Sequence, residues 1–132
     1  MKKGYKALVA EADAEIEAVS PAEALELSKS EDVVLVDIRD PRELERDGRI
    51  AGAFHAPRGM LEFWIDPESP YHKDVFASGK TFVFFCAGGM RSALATKTAQ
   101  DMGLAPVKHI EGGFGAWKKA GLPTEAPAPR KS

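Results

Sequence analysis

The chain has 132 residues, 44% of them hydrophobic, and its 18 lysines and arginines stand against 20 aspartates and glutamates for a net charge of −2. That length suits one domain with its own core, and the balanced charge gives no general attraction for nucleic acid, Arg130-Lys131 being only a short basic tail. One cysteine excludes an internal disulfide and C-x-x-C redox chemistry, and with no apolar run of membrane-spanning length or signal-peptide core the chain is expected to be cytoplasmic, without a membrane partner.

Taken in order, Tyr5, Leu8, Val9, Ala12 and Ile16 recur at helical spacing opposite Glu11, Asp13 and Glu15. The pattern predicts an amphipathic helix, an N-terminal extension over residues 1–15, whose apolar face packs on its own domain or, alternatively, forms a homodimer contact. Ser20-Pro21-Ala22-Glu23 reads as a capping box with proline at the first helical position, opening a helix through about Lys29. Val33–Asp37 reads as a buried strand. Asp40-Pro41-Arg42-Glu43 repeats the cap, and Gly48 can end that short helix. Residues 57–71, PRGMLEFWIDPESPY, form a long connection bounded by prolines. Such a segment can serve as a binding loop, with Arg58 meeting an anion and Trp64 walling a pocket. The other reading is a helical turn that packs Met60, Leu61, Trp64 and Ile65 on the core.

The stretch TFVFFCAGGMRS, Thr81–Ser92, is the most informative. The run Phe82–Phe85 is too short for a helix, and its unbroken apolar character suits a strand buried on both faces of a parallel sheet. Cys86 then stands at that strand's carboxyl end, where open α/β sheets bind ligands. Gly88 and Gly89 are expected to supply positive φ angles in a turn over Ala87–Arg91. A helix follows from Ser92 to Met102, with Leu94, Thr98 and Met102 on one stripe and Gly103 as its stop. A strand over Val107–Ile110 and a helix over Phe114–Ala120 complete the alternation, Gly121 and Pro123 close it, and the Pro- and Ala-rich tail 124–132 is expected to be disordered. Strands alternating with helices predict an α/β domain with a mostly parallel sheet of about five strands and helices on both faces.

A cysteine in a loop wrapped into a helix N-terminus is a candidate nucleophile, because backbone N–H groups and the helix dipole stabilise a thiolate. Arg91 adds a planar cationic fork for an anion. Asp37 and Arg39, at the carboxyl end of their strand, share the same sheet edge, where buried charges pair with each other or cap backbone. His55, His72 and His109 lack metal-ligand spacing, so no metal site is expected, and each reads as an ordinary surface or partly buried residue. Glu111-Gly112-Gly113-Phe114-Gly115 departs from G-x-G-x-x-G and reads as a tight strand-to-helix turn.

CAGGMR, with four residues between Cys86 and Arg91, resembles the active-site loop of the rhodanese-like sulfurtransferases, written C-x-x-G-x-R. VDIRDPRELERDGRIAGAFHAP, from Val36 to Pro57, and IEGGFGAWKKAGLP, from Ile110 to Pro123, are similar to two further stretches of that family. The resemblance implies a single rhodanese-like domain over residues 16–123. It implies transfer of a sulfane sulfur from thiosulfate or a related small anionic donor to a thiol or cyanide, through a persulfide on Cys86. Ala87, Gly88, Gly89, Met90 and Arg91 would bind the substrate, with no cofactor required. Asp37 and Arg39 match the family's D-x-R element, which supports the loop region. One departure is Arg49, where the family carries a histidine. Phosphatases and arsenate reductases place a thiolate in a similar loop, but with five residues between cysteine and arginine. A binding or regulatory module that carries sulfur without turnover is the reading from outside enzymology.

Overall fold

The structure is a computed structural model, and it describes residues 1–127. Among these residues six α-helices, α1 Tyr5–Glu15, α2 Pro21–Ser28, α3 Pro41–Asp47, α4 Leu61–Ile65, α5 Met90–Met102 and α6 Gly113–Lys119, surround five strands, β1 Glu17–Val19, β2 Val33–Asp37, β3 Phe54–His55, β4 Thr81–Phe85 and β5 Val107–Ile110. The strands form one sheet in the order β1-β5-β4-β2-β3, and every pairing is parallel. β4 lies at the centre, between β2, which it meets from Val33 opposite Thr81 to Asp37 opposite Phe85, and β5. From Phe82 to Phe85 it is buried on both faces, which is why that run is continuously apolar instead of alternating.

Side-chain parity along β4 divides the core in two. Phe82, Phe84 and Cys86 pack on one face with Val36, Leu61, Ile65, Ala95 and Ala99, so that face is covered by α4 and α5. Val83 and Phe85 pack on the other with Ala24, Ile110, Phe114 and Trp117, beneath α2 and α6. The two caps form as their sequences predict. The Ser20 hydroxyl accepts the N–H of Glu23 at 3.1 Å, while Asp40 accepts the N–H of Arg42 at 2.8 Å and donates its own N–H to Glu43 at 2.8 Å.

Several expectations need correction. The edge strands β1 and β3, of three and two residues, carry no periodic signal of their own and exist because β5 and β2 give their backbones partners. The α5 helix begins at Met90, not Ser92, so the turn that precedes it is Ala87–Gly89. Its buried face is not the Leu94-Thr98-Met102 stripe but Ser92, Ala93, Ala95, Thr96 and Ala99. Small residues are needed there because α5 lies between the sheet and α1, and bulk at those positions would hold the layers apart. On α1 only Ala12 is fully buried, and Tyr5 and Leu8 are exposed. The α6 helix starts one residue early, at Gly113. Of the tail expected to be disordered, residues 128–132 lie outside the described ones. Within the described part, Glu125 pairs with Arg49 through N–H to carbonyl bonds of 2.7 and 3.0 Å. No helix among the described residues is long and apolar enough to cross a membrane.

Candidate functional site

Cys86 ends the central strand and is 1% exposed. Its sulfur accepts the N–H of Gly89 at 3.1 Å and that of Ser92 at 3.3 Å. Gly89 is the N-cap of α5, with φ of 103°, a left-handed conformation that turns the chain back over the sulfur. Ser92 lies in the first turn of that helix, where backbone N–H groups have no intrahelical acceptor. The sulfur therefore sits on the positive end of the α5 dipole, among donors that favour an anion. Of the five loop residues expected to present amides, Gly89 does so. Ser92, one residue beyond them, is the other donor.

Gly88 corrects the expectation of a positive φ, which it lacks, and an added Cβ there would meet open space. Ala87, with Gly88 before the helix, presents its carbonyl to the N–H of Gly115 at 2.9 Å. Met90 is exposed, 55% of its surface being free, at the rim of the loop. Arg91 is committed to Glu43 on α3 through paired bonds of 2.9 and 2.8 Å. The pair raises the Arg91 pKa above its ordinary value, and bonding to Arg91 holds the Glu43 carboxyl below its own against the opposing effect of burial. Glu43 thus fixes the orientation of the loop's cation, and no local pattern marked it for that purpose.

Asp37 and Arg39 are each 1% exposed and form a buried bidentate pair, Nη2 to Oδ2 at 2.7 Å and Nε to Oδ1 at 3.0 Å. Arg39 also donates to the Gly48 carbonyl at 2.9 Å, and its guanidinium carbon lies 4.1 Å from the centre of the Phe114 ring. Phe114 in turn donates its N–H to the Cys86 carbonyl at 2.8 Å. The pair thus reaches Cys86 through α6. Arg58 bonds Glu62 at 2.6 Å one turn along. Trp64 packs edge-on against Phe54, with centroids 6.0 Å apart, and Lys73 lies over its ring. The 57–71 segment thereby contains the helical turn that packs Leu61 and Ile65 on the core. Arg49 pairs with Glu125 at 3.0 Å and is directed to the C-terminal segment.

His109, expected to be an ordinary surface or partly buried residue, is instead buried beside the cysteine. It is 4% exposed, its Nδ1 lies 2.9 Å from the Ser92 hydroxyl, and that hydroxyl lies 3.5 Å from the Cys86 sulfur. Burial pushes the imidazole below its ordinary value, with Asp13 and Glu111 opposing the shift. The available signal was the histidine's alternation with Lys108 in the β5 strand Val107–Ile110, which puts it on the same face as Val107.

A model of the Rhodanese-like domain family matches residues 20–120. A sulfurtransferase of Allochromatium vinosum is 36% identical over 101 residues, 76% of this chain and 86% of that protein. An uncharacterized protein of Synechocystis is 34% identical over 106 residues, 80% of this chain, which spans about half of that relative's length, 54%. Among solved structures, a Rhodopseudomonas palustris protein of unknown function, described as a possible tyrosine phosphatase, is 64% identical with a TM-score of 0.91, covering 95% of this chain and 96% of that one.

Proposed function

The chain belongs to the rhodanese-like domain family, and from that membership we propose that it is a sulfurtransferase carrying a sulfane sulfur on Cys86. The observation that carries the reading is the Cys86 sulfur at the end of the central strand, held by the N–H groups of Gly89 and Ser92. A thiolate there attacks the outer sulfur of thiosulfate. A sulfur–sulfur bond forms to Cys86, the donor's own sulfur–sulfur bond breaks, and sulfite leaves with the electron pair. The terminal persulfide sulfur carries the negative charge, and the same two donors stabilise it. A thiolate or cyanide then attacks that terminal sulfur, and the Cys86 thiolate is regenerated. Arg91, held by Glu43, steers the incoming anion. The name of the A. vinosum relative supports this reaction class.

The description of the R. palustris structure raises a phosphatase as the second reading. Against it stands the loop itself, in which only four residues separate Cys86 from Arg91, leaving a narrower cradle for a tetrahedral oxyanion than five would.

The test is the intact mass of reduced protein before and after thiosulfate, with Cys86→Ser in parallel. The expected result is a gain of one sulfur atom, lost on adding a reducing thiol and absent from the variant. No gain from a protein whose thiol still alkylates would overturn thiosulfate as donor. Hydrolysis of an aryl phosphate that disappears in Cys86→Ser would favour the phosphatase.

A further inference from the structure

Behind the sulfur a chain of polar atoms runs across three elements. The Cys86 thiol at the end of β4 reaches the Ser92 hydroxyl of α5 at 3.5 Å, that hydroxyl reaches Nδ1 of His109 on β5 at 2.9 Å, and Nε2 of His109 faces Asp13 of α1 at 4.0 Å. The far end opens on a cavity of about 410 Å³ between α1 and the cysteine loop, whose lining includes Asp13, Gly89, Met90, His109 and Glu111. The charged groups that bear on His109 are Asp13 and Glu111, and Arg91 bears on the Cys86 sulfur at the other end of the chain. Its strand neighbours Ala18 and Phe84 are uncharged. Ser92 and His109 are both buried, and nothing in the sulfur-transfer steps above uses the histidine.

We propose that His109 is a positioning residue for Cys86, receiving the thiol's proton through Ser92 and so readying the thiolate. In the resting arrangement the thiol donates to Ser92 Oγ, the Ser92 hydroxyl donates to His109 Nδ1, and the protonated Nε2 faces Asp13. Transfer reverses both bonds. The S–H and the serine O–H bonds break, a new serine O–H and an N–H on Nδ1 form, and no proton leaves the protein. The Ser92 hydroxyl now donates to the thiolate, His109 donates to Ser92, and the imidazolium lies beside the carboxylates of Asp13 and Glu111. Burial keeps the imidazole neutral, the form that can accept, and opposes its charged form, while the carboxylates of Asp13 and Glu111 act against that penalty once the proton arrives. The donors on the sulfur rise from the two amides of Gly89 and Ser92 to those amides plus a hydroxyl. Asp13 belongs to the helix that precedes the matched family segment, so the N-terminal extension takes part in this arrangement.

The inference rests on Cys86 as the nucleophile, and its test uses no sulfur donor. The rate constant for iodoacetamide alkylation of the reduced protein is measured from about pH 5.5 to about pH 9.5, a range bracketing ordinary thiol ionisation. Parent, His109→Asn, His109→Gln, Ser92→Ala and the His109→Asn/Ser92→Ala double variant are compared. Both amide replacements keep a polar partner for Ser92 but take up no proton. Using two of them keeps the test open should one fail to fold. Below pH 7 the His109 variants and Ser92→Ala are expected to react about tenfold more slowly than the parent, the scale of losing one nearby opposite charge. All should converge with it at high pH, and the double variant should be no slower than either single one. Profiles that superimpose on the parent's, or that differ from it by one factor at every pH, would overturn the inference, since packing or access alone produces those results. A protein that alkylates as expected yet gains no sulfur from thiosulfate would retire the transfer reading and leave this one standing.

Discussion

Two glycine pairs follow parallel strands and open helices in this domain, and they perform different tasks. Gly88-Gly89 follows β4, and Gly112-Gly113 follows β5. In the first pair only Gly89 has a positive φ, and its N–H points at the sulfur. In the second both residues have positive φ, at 75° and 61°, and they press on the back of the first turn. A Cβ at Gly113 would come within 2.4 Å of the Cys86 carbonyl oxygen, and one at Gly112 within 2.6 Å of the Ala116 methyl. The N–H groups of Phe114 and Gly115 then hold the carbonyls of Cys86 and Ala87 at 2.8 and 2.9 Å. One turn presents donors to the sulfur, and the other fixes the backbone that carries it. A cradle built from main-chain atoms has no side chains to adjust its shape, so its rigidity must come from whatever packs behind it.

The largest effect should come from breaking the supporting turn. Gly113→Ala places a side chain against backbone atoms at a left-handed φ, and it is expected to reduce stability by about 3 kcal/mol. Chemical denaturation would measure this, and a shift below about 0.5 kcal/mol would show that the two turns move independently.

Next in size is the contact that orients the loop's cation. Glu43→Gln removes the charge partner of Arg91 and should lower transfer from thiosulfate by about tenfold, because a displaced guanidinium misaligns the anion. The stability change should be small, since Arg91 remains 43% exposed and solvent screens the pair. The pair also has a pH signature. Bonding to Arg91 places the folded-state pKa of Glu43 below the ordinary 4.5. Its contribution is therefore complete above 4.5 and disappears as pH falls through the lower folded value. The difference in melting temperature between parent and Glu43→Gln should shrink over that acidic window, and a difference constant with pH would contradict the assignment.

The smallest effect sharpens the comparison from the other side. Gly88→Ala meets open space at an ordinary φ. Its stability should stay within about 0.5 kcal/mol of the parent's, and its uptake of sulfur should be unchanged. Substantial loss of either would mean that both glycines of the first pair are needed.

Much of this arrangement is legible locally. The apolar run into Cys86, the following turn and the caps at Ser20 and Asp40 depend on residues within a few positions of one another, and they form nearly as read. The α5 helix shows where such reading fails. Leu94, Thr98 and Met102 have helical spacing, but small residues, three alanines with Ser92 and Thr96, form the buried face because a second layer, α1, lies over α5. Arg49 likewise finds a partner that no local pattern announces, Glu125, 76 residues away.

What the sequence by itself determined is the strand, turn and helix around Cys86, because period, apolar run length and turn chemistry are short-range properties that the chain carries wherever it lies. What only the tertiary structure decided is the company the sulfur keeps. Glu43 is 48 positions from Arg91, and His109 is 17 positions from Ser92. Each pair meets because the parallel register and the order β5-β4-β2 place those segments side by side. A carboxylate on a capped helix and a histidine in a strand look ordinary until the sheet order brings them to the cysteine. No local pattern contains that order, since it is set by how whole strands pair and which faces they bury.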